Sequence, residues 1–425
     1  MEQAESHYEN FTLKDYHYLD NLELGQRLSE IKNFNENLLT VYEREITSSA
    51  AREVTMYDAV SAQERKMLMF GSNNYLGLTT HPYVMERVRE AVDAYGVGVG
   101  GPPLLNGTTR LHRELIEKLC EFKGCEDAIL FPTGFSTNLG WVSALIKNKD
   151  VVFFDEYNHA SFFTGLKLTN CKKIPFRHNN MADLENKLGK YGGSGLTRWI
   201  VAEGVYSMDG DLAPLDRIAE LAGEYSCRIA VDDAHGTGVM GENGTGCAEH
   251  FKLDKDAITV NIGTFSKSFG VTGGFVGASK SIINYMKIMA GSYIFSASLP
   301  AHVCAAVIAG IEVIRKDKGI VKKLHDNAQY VVNGLRRCNI PVSTGSGIIP
   351  IIIPGDKDIK RIIFKLSSRG IFVNSVEYPA VPNDKQRLRI SVMATHTADD
   401  LDKLVRSINE VFSEEDIAIQ HEVSI

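Results

Sequence analysis

The chain has 425 residues, 44% of them hydrophobic, 23% charged and 9% aromatic, which excludes a disordered or fibrous protein and is enough for a large domain plus a smaller one. Its 46 basic and 53 acidic residues leave a net charge of -7 spread along the whole length, so no nucleic-acid footprint is expected. Seven cysteines (Cys120, Cys125, Cys171, Cys227, Cys247, Cys304, Cys338) form no C-x-x-C pair, which argues against structural zinc or a disulfide framework and for a reducing compartment.

In chain order, residues 1 to about 53 are polar and helical in pattern and read as an N-terminal arm, which with short strands extends to residue 70. The start, Met1-Glu2-Gln3-Ala4-Glu5-Ser6-His7-Tyr8, is polar and acidic where a signal peptide is basic and then apolar. The most apolar helical stretch, Val303 to Val313, is too short to span a bilayer. A cytoplasmic protein with no transmembrane segment is expected.

A charged amphipathic helix, Pro82 to about Tyr95, leads into Gly96-Val97-Gly98-Val99-Gly100-Gly101. This run matches G-x-G-x-x-G by letter, but the dinucleotide fingerprint needs a strand before it and a helix after it. Here Pro102-Pro103 follow at once, so a loop near a substrate entrance is expected rather than a nicotinamide or flavin site.

Short apolar runs then begin: Ala128 to Phe131, Val151 to Phe154, Lys173 to Phe176, Trp199 to Ala202, Arg228 to Val231, Ala257 to Val260 and Gly274 to Gly277. Strands apolar on both faces and alternating with helices indicate a three-layer α/β domain around a mainly parallel sheet, here over residues 71 to 310. After a helical stretch from about Pro300 to Lys316, the chain to residue 425 has helices around shorter strands, Ile348 to Ile353 and Arg387 to Val392. That is the pattern of a smaller α+β domain, assigned to residues 311 to 425.

Several runs carry chemistry. Lys267, in Gly263-Thr264-Phe265-Ser266-Lys267-Ser268-Phe269-Gly270, lies about one βαβ unit after Asp232-Asp233-Ala234-His235. A lysine in such a loop can hold an aldehyde as a Schiff base, and an aspartate at an earlier strand end can hold a pyridinium proton, so the pair points to pyridoxal phosphate. Only one of Asp232 and Asp233 can face the cofactor if the strand runs through both. His235 follows within reach of the ring hydroxyl, and metal ligation by Asp232, Asp233 and His235 is the competing reading. Phe131 to Asn138 opens a helix after a strand, a phosphate cradle or a routine N-cap, and Thr264 offers a hydroxyl to the same phosphate. His159, at the end of another strand, can stack on a planar ring or cap the next helix. Arg387 and Arg389 share one face of a strand, where one guanidinium can clamp a carboxylate or both can face solvent.

Asn158-His159-Ala160-Ser161, Glu203 to Gly210, Asp232 to Gly238, Gly263 to Lys267 and Ala394-Thr395-His396-Thr397, in this order, resemble the α-oxoamine synthases from about Met69 to the C-terminus. The resemblance implies a pyridoxal-phosphate enzyme of the aspartate-aminotransferase fold (fold type I), working as a homodimer with active sites at the subunit interface. It implies that Lys267 carries the cofactor, Asp232 pairs with the ring nitrogen, His235 meets the ring hydroxyl and His159 stacks on the ring. Gly134, Phe135 and Thr264 would hold the phosphate, and Ser207 and Glu203 would line the site. Asn73 would approach the substrate, Arg389 would bind its carboxylate, and Ser296 or Ser298 would reach the neighbouring subunit's phosphate. The implied reaction joins a small amino acid (serine, glycine or alanine) to an acyl thioester of coenzyme A or an acyl carrier protein, with loss of carbon dioxide.

Two departures bear on the substrates. Glu377, in Val376-Glu377-Tyr378-Pro379, stands where the palmitoyltransferase and oxononanoate synthase branches carry an arginine before a proline pair, its Tyr-Pro-x-x-Pro form looking more like the ketobutyrate ligase and aminolevulinate branches. Pro102-Pro103 replace the small or basic residues usual near the acyl chain. In contrast, Thr264 to Gly270 and Tyr293 to Ser298 look most like serine palmitoyltransferase. An aminotransferase or aldolase-type lyase on the same fold is the alternative, and a non-catalytic partner subunit is a further one that the presence of Lys267 disfavours.

Overall fold

The computed structural model describes residues 42–58, 62–191, 197–377 and 380–417. Most of the expected N-terminal arm, and Tyr378 and Pro379 beside Glu377, lie outside the described residues.

Three strands open the described chain: β1 (Glu45–Ile46), β2 (Glu53–Asp58) and β3 (Gln63–Met69). They were expected partly as helix up to about residue 53, but β1 already pairs antiparallel with β2. The chain then alternates strands with helices through β4 (Asp127–Phe131), β5 (Val151–Asp155), β6 (Lys172–Phe176), β7 (Arg198–Glu203), β8 (Arg228–Asp232), β9 (Val260–Thr264) and β10 (Gly274–Ala278). These seven form one sheet in the order β4-β10-β9-β8-β7-β5-β6, parallel except for β10.

Alternation along each strand explains the three layers. On β5, Val151 and Phe153 enter the core shared with helices Pro82–Tyr95, Arg110–Lys123 and Ala301–Lys316. Val152 and Phe154 point the other way, into the core under helices Gly134–Leu145, Ala160–Lys167 and Lys280–Met289. Both faces are therefore dry, as continuous apolar strands require.

The run expected at Ala257 to Val260 is displaced: the strand is Val260–Thr264, pairing Ala230 with Val260. Asn261 and Gly263 disguised it. Gly263 is required there, since a Cβ would come within 2.3 Å of the Phe275 ring.

The carboxyl ends of β4, β5, β7, β8 and β9 all open on one edge of the sheet, the edge at which α/β proteins bind ligands. Over that edge leans a second unit, built on β11 (Ile348–Ile352), β13 (Asn374–Val376) and β14 (Arg387–Ser391) in the order β11-β14-β13. Helices Ile320–Arg337, Ile359–Ser368 and Ala398–Glu414 contribute to its separate core, in which Leu388 and Ile390 are fully buried. The short β12 (Ile371–Phe372) joins β3 in parallel, so the N-terminal sheet is completed by the C-terminal unit. Among the described residues no helix is long and apolar enough to cross a membrane.

Candidate active site

Strand β8 ends at Asp232, and this resolves the two adjacent carboxylates. Asp232 is half-buried and faces the open edge, whereas Asp233 is fully buried. Lys123 Nζ donates to Asp233 Oδ2 at 2.7 Å, and the Cys247 N–H donates to its Oδ1 at 3.2 Å. Among the described residues no group of histidines, cysteines and carboxylates is arranged to hold a metal. Asp232 Oδ2 accepts from Asn138 Nδ2 at 2.8 Å, and Oδ1 accepts from the Ala234 N–H at 3.1 Å.

Lys267 follows β9, the neighbour of β8, and its electrostatics are set by the same groups. Burial pushes its amine down to about 8, Arg389 acting in the same direction and Asp232 and Glu203 against it. Glu203 ends β7 directly beside Asp232 in register and is 3% exposed. Burial and the Asp232 charge hold its carboxyl well above the usual range, while Lys267 and the backbone N–H groups of Ser207 and His159 pull the other way. Burial and a like charge both disfavour the ionised form of a carboxyl so placed.

His159 caps the next helix, the second of the two things considered for it. Its Nδ1 accepts from the Ser161 N–H at 3.2 Å and caps helix Ala160–Lys167, while the ring stays exposed at the pocket mouth. His235 is buried, and burial, then Lys267, Arg389 and His159, hold it neutral, well below its ordinary value. Its Nδ1 lies 2.8 Å from the Tyr75 hydroxyl. The same hydroxyl reaches Asn73 Oδ1 at 3.2 Å, and only when it donates to Nδ1 instead does the proton of the neutral ring lie on Nε2, which is then a donor.

Gly134 and Phe135 begin helix Gly134–Leu145, capped by Thr133, whose side chain accepts from the Ser136 N–H at 3.0 Å. The first-turn N–H groups of Gly134 and Phe135 remain available to an anion. Thr264 Oγ1 flanks this turn so closely that a Cβ on Gly134 would sit 2.9 Å from it.

Both arginines of β14 are buried, at 2% and 5% exposure, and neither faces solvent as the alternative had it. Arg387 is consumed by Asp209, Nη1 to Oδ1 2.6 Å. Arg389 donates from Nε to the Ser207 carbonyl at 2.6 Å and from Nη1 to Asn73 Oδ1 at 3.1 Å. Ser296 lines an apolar recess with Pro102, Leu104, Leu105 and Phe295. Ser298 instead packs against Gly107, its Oγ buried and unpartnered. Glu377 Oε1 accepts from the Tyr42 hydroxyl at 2.9 Å. The Gly96 to Gly101 run is loop, with Gly96 and Gly100 at positive φ.

Tyr75 and Asn138 escaped sequence reasoning. Asn138 had a signal, a buried amide in an otherwise mostly apolar helix, while Tyr75 had none.

These residues fit pyridoxal phosphate. An anion cradle that glycine keeps open, a half-buried carboxylate and a lysine of lowered basicity converge on one sheet edge, with a neutral imidazole beside them.

The comparisons agree. The family of class I and II aminotransferases matches residues 65–408. An 8-amino-7-oxononanoate synthase of Lysinibacillus sphaericus is 41% identical over 351 residues, 82% of this chain and 90% of that protein. A serine palmitoyltransferase of Bacteriovorax stolpii is 41% identical over 369 residues, 86% of each. The solved serine palmitoyltransferase of S. paucimobilis, with PLP and myriocin bound, superposes with a TM-score of 0.86 at 28% identity, covering 96% of this chain and 100% of that one. The chain belongs to the α-oxoamine synthases, pyridoxal-phosphate-dependent enzymes built on the class I and II aminotransferase fold.

Proposed function

We propose that this enzyme joins a small amino acid (serine, glycine or alanine) to an acyl thioester, most like serine palmitoyltransferase, releasing the thiol and carbon dioxide and leaving an amino ketone. The observation that carries this reading is Arg389, a buried guanidinium tied to Asn73 and Ser207 and close enough to act, as Asp232 does, on the Lys267 amine. Such a fork suits a carboxylate held beside the lysine. The serine palmitoyltransferase preference rests on the Thr264 to Gly270 and Tyr293 to Ser298 segments and on the relatives of that activity.

When bound, pyridoxal phosphate supplies an aldehyde to capture the amine and a ring that takes up the electron pair left at the α-carbon. In this reading Gly134, Phe135 and Thr264 grip the phosphate and Asp232 holds a proton at the ring nitrogen. His235 donates to the ring hydroxyl, and His159 covers a ring face. Lys267 would bind the aldehyde at rest, and with an amino acid in the site its Nζ would be the base for the α-proton, a task suited to an amine whose value is about 8 rather than 10.5. Glu203 and Ser207 line the site beside Asp232.

The same reading takes residues 71 to 310 as the cofactor domain and 311 to 425 as the small domain. It makes the enzyme a homodimer, Ser296 reaching the neighbouring subunit's phosphate, with support from Phe295 and Leu105, 86% and 81% exposed beside it. The thiol carrier is coenzyme A or an acyl carrier protein, and seven free cysteines suit a cytoplasmic setting.

The test is to titrate the purified holoenzyme with serine, glycine and alanine while recording the cofactor absorbance. Acyl thioesters of long and short chain are then added, and free thiol and carbon dioxide are measured. One amino acid with one thioester should release both in equal amounts. Thioester that stays intact with all three amino acids contradicts the reading.

A further inference from the structure

His178, on the loop after β6, touches none of the groups assigned above, yet it joins the two turns that carry them. Its Nδ1 lies 3.0 Å from Asp155 Oδ1 and its Nε2 2.9 Å from Asp211 Oδ2. A ring with a carboxylate at each nitrogen carries both protons. Asp155 and Asp211 accordingly hold it as a cation, raised to about 10 against the burial that opposes it. The ring stacks on Tyr157 at 4.3 Å and 18° and meets the Tyr206 ring edge-on at 4.5 Å and 88°.

Each carboxylate belongs to a different turn. Asp155 Oδ1 also accepts from the Tyr157 N–H at 2.9 Å, and the Asp155 carbonyl accepts from the Asn158 N–H at 3.2 Å. That is the turn that delivers His159. The Asp211 carbonyl accepts from the Tyr206 N–H at 2.9 Å, and the Tyr206 carbonyl accepts from the Gly210 N–H at 2.8 Å. That closes the turn whose Ser207 carbonyl and Asp209 carboxylate hold Arg389 and Arg387. Asn179 doubles the link, its N–H donating to Asp155 Oδ2 at 2.8 Å and its Nδ2 to Asp211 Oδ2 at 2.7 Å. Lys385 Nζ, from the C-terminal unit, reaches the Tyr157 hydroxyl at 3.2 Å.

We propose that His178 is a positioning residue that locks the turn bearing His159 to the turn bearing Ser207, so that the ring-covering imidazole and the Arg389 clamp keep one fixed spacing. The proposal rests on the reading of His159 and Arg389 given above. A ring clamped by two charge-assisted bonds and two aromatic contacts has little freedom, and reacting groups depend on such supporting contacts for sub-ångström placement.

The test compares wild-type and His178→Gln holoenzymes by visible-region circular dichroism per bound pyridoxal phosphate, and by the dissociation constant for serine, glycine or alanine. The variant should lose at least about half of the induced dichroism and bind the amino acid about tenfold more weakly, with one cofactor still bound per chain. Unchanged dichroism and unchanged amino-acid affinity overturn the proposal. If His178→Gln does not fold, Asp211→Asn keeps the side-chain shape and removes one charge. It should shift both readouts in the same direction, and no shift in either overturns the proposal. Wild-type protein that holds the cofactor but responds to no amino acid contradicts the condensing reading instead, and the dichroism comparison still decides the part played by His178.

Discussion

Asn138 Nδ2 lies 2.8 Å from Asp232 Oδ2, and its Oδ1 accepts from Trp141 Nε1 at 2.8 Å, so the amide is held from one side and aimed at the carboxylate from the other. That amide orients Asp232 together with the Ala234 N–H on its other oxygen. Asn138→Ala should leave the carboxylate one donor short, at a cost of about 1–2 kcal/mol, and weaken cofactor affinity roughly tenfold. Equilibrium binding of pyridoxal phosphate to the apoprotein measures this, and equal affinity in the two proteins contradicts it.

Gly134 offers a sharper separation of phosphate from ring. A Cβ there would press on Thr264 Oγ1 at 2.9 Å, the hydroxyl that flanks the first helical turn. Gly134→Val is expected to weaken pyridoxal phosphate binding at least about tenfold while leaving the binding of pyridoxal, which has no phosphate, little changed. Parallel losses for both compounds would remove the cradle from this position.

Arg387 and Arg389 share a strand face but not a task. Arg389→Lys should raise the amino-acid dissociation constant by about 10- to 100-fold, because a point charge replaces a planar fork, with cofactor affinity retained. Arg387→Ala should instead act on stability, by about 1–3 kcal/mol, since it leaves Asp209 without its charged hydrogen-bond partner. Chemical denaturation and substrate titration of the two variants distinguish the tasks.

The lowered Lys267 amine gives a pH dependence with a definite sign. Between about 8 and the ordinary 10.5 the folded apoprotein holds fewer protons at this site than the unfolded chain, so folding stability rises with pH across that window. Lys267→Met should lack that rise. Because only the neutral amine attacks an aldehyde, the rate of cofactor capture by the wild-type apoprotein should climb with pH and level off above about 8. A pH-independent capture rate would contradict the assignment.

Much of this site was legible because its residues lie at strand ends. Asp232, His159 and Lys267 each follow an apolar run, and a parallel sheet brings those ends to one edge whatever the helices between them do. Asp233 could not be separated from Asp232 by pattern, since the decision depends on Lys123, which approaches from a helix over a hundred residues earlier. Tyr75 and His178 were invisible for the same reason: their partners, His235, Asp155 and Asp211, are distant in sequence. Strand β9 was misjudged by three residues because Asn261 and Gly263 break the apolar run. Gly263 is there to make room for Phe275, a neighbour that local pattern does not reveal.

The most direct test of the account is to reduce the holoenzyme with borohydride, digest it and locate the phosphopyridoxyl group by mass spectrometry. The account predicts the label on Lys267. A label on any other lysine, with Lys267 unmodified, would contradict it.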